Sequence, residues 1–140
     1  MHKVGDVIKV TIPYTSTGNE PKLRWFVFLG RLSFIENPRN AYLCTTTTEI
    51  EKYKQNKQST WVEFKQGTSC FEEDCLLCLD EIESNFTEEE FDNKFKPDFK
   101  GHLSEEQLKT IARKIIKADL APKIIKDILE SFRLEGIPTK

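Results

Sequence analysis

A change of apolar period near residue 100 constrains this chain more than any other feature of its sequence. Upstream, apolar side chains alternate with polar ones or form short unbroken runs, as strands require. Downstream, they recur at steps of three and four, as one face of a helix requires. Val7, Ile8, Val10, Ile12 and Tyr14 open the first stretch, which stops at the turn-rich TSTGNEP loop, residues 15–21. Residues 23–29 are aromatic and β-branched and read as a strand buried on both faces, punctuated by Gly30 and by Glu36-Asn37-Pro38. Residues 40–48, with four consecutive threonines, residues 61–64 and residues 75–82 read as further short strands. Strands this short and closely spaced predict a mainly β (α+β) fold built on a small barrel or sandwich.

The helical period begins at a capping box, Ser104 with Gln107 three residues on. Leu108, Ile111, Ala112, Ile115 and Ile116 then form one stripe. Pro122 suits the first turn of a second helix, whose stripe is Ile124, Ile125, Ile128, Leu129 and Phe132, and Gly136 and Pro138 end it. Residues 84–103 read as a connector holding a helical turn or two. A chain of 140 residues fits one domain, 1–140, divided into a β core 1–83, an acidic connector 84–103 and helices 104–135. With 38% hydrophobic residues there is enough apolar material for a core, so wholesale disorder is excluded. No apolar run is long enough to span a bilayer, and MHKVGDVIKV lacks the apolar segment of a signal peptide, so a cytoplasmic chain without membrane contact is expected.

The net charge of −2 conceals a segregation. Residues 1–66 carry ten Lys/Arg and six Asp/Glu, residues 67–99 two and eleven, and residues 100–140 nine and six, which is +4, −9 and +3. An anion-binding face on the first part is therefore compatible with the near-neutral total. The acidic part reads most simply as a solvated connector.

The chemistry available is narrow. Cys75 and Cys78 have a zinc-compatible spacing, but two leucines separate them in a strand, and alternation sends them to opposite faces. With Cys44 and Cys70 they read as reduced structural thiols, and no metal or cofactor is expected. Phosphate loops, dinucleotide fingerprints, nucleophile elbows and HExxH are absent from the sequence. What stands out is Arg24 at the start of a buried strand, where its charge needs a partner or an anionic ligand. The hydroxyls of Thr45, Thr46, Thr47 and Thr48 can donate to a phosphate. A structural ion pair at Arg24 and ordinary strand threonines are the competing explanation on composition alone.

Several motifs, in order, resemble one family. Gly5-Asp6-Val7-Ile8 followed by Ile12-Pro13-Tyr14-Thr15 looks like the opening of the MazF/PemK-type toxins. There a polar loop and an Arg before an apolar strand come next, as TSTGNEPKL, Arg24 and WFVFLG do here. Asp74-Cys-Leu-Leu-Cys-Leu-Asp-Glu-Ile82 and Gly101-His-Leu-Ser-Glu-Glu-Gln-Leu108 resemble two later segments of that family, so the likeness covers roughly residues 4–117. It implies an SH3-like β-barrel with C-terminal helices and a homodimer. It further implies a metal-independent endoribonuclease of single-stranded RNA, restrained by a cognate antitoxin. By the same likeness Arg24 is the catalytic arginine, Thr47 the best match to the catalytic threonine with Thr46 second, and Glu20 the loop acid. Thr15, Ser16, Asn19, Lys22, Thr45 and Thr48 are the expected RNA-binding residues. Departures are Trp25, where the family usually has Pro, Cys78 at a commonly basic or polar position, and the second helix. Two other readings of the same chain are a non-enzymatic toxin of this fold that binds DNA gyrase and an inactive SH3-like binding module.

Overall fold

The computed structural model describes residues 2–13, 21–31, 40–68 and 70–139. Among them the strands are β1 (Asp6–Pro13), β2 (Pro21–Arg31), β3 (Ala41–Thr47), β4 (Trp61–Phe64), β5 (Cys75–Glu83) and β6 (Asp98–His102). The helices are α1 (Ile50–Lys54), α2 (Glu88–Phe95), α3 (Glu105–Ile115) and α4 (Pro122–Leu134). The strands form one antiparallel sheet in the order β4-β5-β3-β2-β1-β6, curled into a half-barrel, with α3 and α4 C-terminal to it. This α+β arrangement matches the expected class at the level of sheet and helices. Among the described residues no helix is long and apolar enough to cross a membrane.

The unbroken apolar runs became the strands covered on both faces. Phe26, Val27, Phe28 and Leu29 of β2 and residues 75–79 of β5 are all buried. Curling has a local cause. The ladder slips between Phe28 and Gly30, between Cys44 and Thr46, and between Val7 and Ile8, and an extra residue at each slip increases twist. At the first slip Gly30 has φ 142°, and a Cβ there would overlap the Oγ and Cβ of Ser131. α4 therefore lies directly on β2, which only a glycine permits. The buried Asp127 of α4 ties the helix to β3, accepting from Tyr42 Oη at 2.7 Å, and within the helix from Lys123 Nζ at 2.8 Å.

The capping box at α3 forms as expected, with Gln107 N–H donating to Ser104 Oγ and Ser104 N–H to Gln107 Oε1. Leu108, Ile111, Ala112 and Ile115 are buried, while Ile116, just past the helix end, is more than half exposed. In the second stripe Ile128 and Phe132 are fully buried, and Ile124 and Leu129 are partly so.

Residues 84–103 depart from the expected connector: they hold α2 and the sixth strand, β6, which pairs with β1. Thr87 and Glu90 form a capping box, and Phe86, Phe91 and Phe95 cluster in tilted and edge-on contacts, with Phe91 meeting Phe26 edge-on. The acidic side chains here are used in docking. Glu88 accepts from Arg31 Nε and Nη2 at 2.9 and 3.1 Å and from the His2 backbone N–H at 2.8 Å, and Asp92 meets His2 Nε2 at 2.9 Å. The β core therefore extends past residue 83.

Candidate active site

An open groove of about 1240 Å³ runs along the ends of β2, β3 and β5. Arg24 and threonines 45–48, singled out on opposite sides of a 20-residue gap in the sequence, line it together. Antiparallel pairing causes this. Phe26 of β2 sits opposite Thr45 of β3, so the strand segment carrying Arg24 and the threonine run that ends β3 emerge side by side. Arg24 is half-buried with its Nε buried, and it sits opposite Val10 of β1. Leu23, Arg24 and Trp25 all border the groove. Successive strand residues project to opposite faces, so the groove wraps the start of β2 rather than lying on one face.

The threonines differ in what their hydroxyls do. Thr46 Oγ1 donates to the Trp25 carbonyl at 3.2 Å, stitching β3 to β2. Thr47 Oγ1 instead accepts from the Glu49 N–H at 3.1 Å, which leaves its own O–H available to donate. Thr45 Oγ1 lies 3.5 Å from the Glu81 carbonyl, and Thr48 is exposed beyond the strand end. Lys22 is in β2 opposite Ile12. Thr15, Ser16, Asn19 and Glu20 lie outside the described residues.

Asp80 frames the far wall. It accepts from the Thr60 N–H at 2.6 Å, the Asp119 N–H at 2.7 Å and the Tyr53 hydroxyl at 3.3 Å, tying β5 to α1, to the segment before β4 and to the turn between α3 and α4. Burial, then the negative field of Cys78, Asp80 and Glu81, holds the Tyr53 phenol well above its ordinary value. Burial also pushes the Cys75 and Cys78 thiols up to about 12, helped by Asp74 and Glu73 at the first and Glu81 at the second. Cys44 is raised too, chiefly by burial. These thiols are protonated and unreactive at neutral pH. Among the described residues no three His, Cys, Asp or Glu side chains come together as metal ligands would.

Sequence reasoning missed three parts of the groove. Trp25, named from sequence only as a departure from the family pattern, borders it half-buried and packs against the core, its ring 5.8 Å from that of Phe71. The additional cations are Lys9, Lys52 and Lys117. Lys9 holds a polar position in the alternation of β1, opposite Trp25, and Lys117 lies in the turn after α3. The acidic rim is the third. Among the described residues the lining cations number four with Arg24, against the carboxylates Glu49, Glu72, Glu73, Asp80, Glu81 and Asp119, an excess of two negative charges. Comparison with known proteins adds nothing to this geometry: no family model, no curated protein and no solved structure matches the chain.

Proposed function

We propose that this protein is a sequence-selective endoribonuclease of single-stranded RNA, a toxin of the MazF/PemK type, acting at the groove between β2 and β3. The observation that carries this reading is that Arg24 and Thr47 line one groove, with the Thr47 hydroxyl engaged as an acceptor and so able to donate. In the proposed reaction the 2′-oxygen bonds to the adjacent phosphorus and the bond to the 5′-oxygen breaks. The products are a 2′,3′-cyclic phosphate and a 5′-hydroxyl. The 2′-hydroxyl loses its proton to a carboxylate, for which Glu20 is the candidate, and the departing 5′-oxygen gains one. Arg24, with its fixed charge and planar donors, stabilises the extra negative charge of the pentavalent phosphorane. Thr47 donates to a non-bridging oxygen. Positioning and electrostatics suffice for such a transfer, so a site without histidine is chemically sound.

The half-barrel is read as part of an SH3-like β-barrel, and the homodimer and the cognate antitoxin enter as partners on the same family resemblance. The test is incubation of the folded protein with mixed-sequence single-stranded RNA in EDTA. Selective cuts that end in cyclic phosphate are expected, lost in Arg24→Ala and reduced in Thr47→Ala. Intact RNA under all conditions would refute the reading, and trapping of gyrase on supercoiled DNA would then favour the gyrase-binding alternative.

A further inference from the structure

We propose that Trp25 is the platform on which one unpaired base of the bound strand stacks, covered in the free protein by the Lys9–Glu72 ion pair. The inference rests on the RNA reading above and names how that groove holds its substrate. Trp25 is anchored from behind: its ring meets Phe71, which in turn stacks on Phe64 at 4.9 Å, so the indole is held against the core. In register it faces Lys9 of β1, whose Nζ stands 5.3 Å from the ring centroid. The same Nζ pairs with Glu72 at 3.3 Å.

This cover is easily moved. Glu72 is 65% exposed, and an ion pair in such a setting contributes little to stability. Stacking a base on a fixed indole contributes more. When a base arrives, Lys9 swings from the ring to the neighbouring phosphate and Glu72 turns to water. The exchange keeps one cation at the strand's backbone and removes one carboxylate from it. It also selects for single strands, because a base inside a duplex has no free face to offer.

The experiment uses 2′-O-methyl RNA of random sequence, in which the nucleophile is blocked, with the Trp61→Phe protein, so that Trp25 is the sole tryptophan. Binding should quench Trp25 emission. Trp25→Leu should weaken binding by about 10-fold or more while Trp25→Phe stays within about threefold, as loss and retention of a stacking surface require. Glu72→Gln should tighten binding about two- to fivefold through relief of one repulsive charge. Circular dichroism establishes that each variant is folded. Binding that depends on Arg24 but leaves Trp25 emission and the Trp25→Leu affinity unchanged would overturn the stacking platform and leave the RNA reading intact. No binding by the folded protein would overturn both.

Discussion

Two threonines that look alike in a run of four have separate tasks. Thr46 spends its hydroxyl proton on the Trp25 carbonyl, and Thr47 retains its own. Thr47→Ala should therefore lower kcat by about 10²-fold with stability nearly unchanged, as loss of one transition-state donor does. Thr46→Val should instead lower stability by about 1 kcal/mol and leave kcat within a few-fold. Single-turnover cleavage and urea unfolding together separate the two. The pairing of Arg24 with the threonine run was legible in the sequence, because a charge opening an apolar strand demands explanation. Which threonine keeps its proton was not, since that depends on a turn at Glu49 and on the neighbouring strand's carbonyl. The thiols yield a pH prediction. Cys75 and Cys78 titrate at about 12 when folded, against an ordinary value of 9.0 when unfolded. The unfolded chain thus loses these protons first, so stability is constant below pH 9 and falls as pH rises toward 12. The raised phenols Tyr42 and Tyr53 act in the same direction. A urea midpoint that is level up to about pH 9 and drops above it is expected, with Cys75→Ala/Cys78→Ala flattening the drop; a midpoint independent of pH would contradict the burial argument.

Elements with strong periodicity were visible from sequence; those built from short polar segments were not. The stripes of α3 and α4 and the Ser104 box sufficed to place both helices. By contrast, α2 and β6 were hidden in an acidic stretch whose charges suggested solvent. The Thr87-x-x-Glu90 pattern and the spaced phenylalanines were the available signals. What could not be foreseen is that Glu88 and Asp92 meet partners far back in the chain, His2 near its start and Arg31 at the end of β2. Thr87→Ala should cost about 1 kcal/mol, the usual loss for an N-cap. The docking of α4 is the more sensitive element. Gly30→Ala forces a Cβ into Ser131 at a positive φ, where the backbone resists any side chain. Asp127→Ala leaves the buried Tyr42 hydroxyl without its acceptor and should cost about 3 kcal/mol. Both are expected to loosen α4 before the sheet, so hydrogen exchange should accelerate in α4 while the β2–β3 amides stay protected. Uniform exchange across both would contradict an independent docking step.

For the molecule as a whole, the charge segregation decides how RNA is held. The −9 of residues 67–99 is partly folded into the structure, through Glu88 and Asp92, and partly set on the groove rim, through Glu72 and Glu73. With four cations against six carboxylates among its described residues, the groove does not favour capture of RNA by backbone charge alone. Selectivity then rests on a few placed groups, Arg24 foremost, and binding should show a shallow salt dependence, about two counterions or fewer released. A steep slope would mean that the rim carboxylates do not reach the bound strand. The most direct measurement compares two oligonucleotides identical except for one atom: the preferred single-stranded RNA site and the same site with 2′-deoxyribose at the scissile nucleotide. Cleavage of the first to a cyclic phosphate and a 5′-hydroxyl, with the second left intact, is the expected result. Equal cleavage of both, or of neither by the folded protein, would contradict 2′-hydroxyl attack at the Arg24–Thr47 groove.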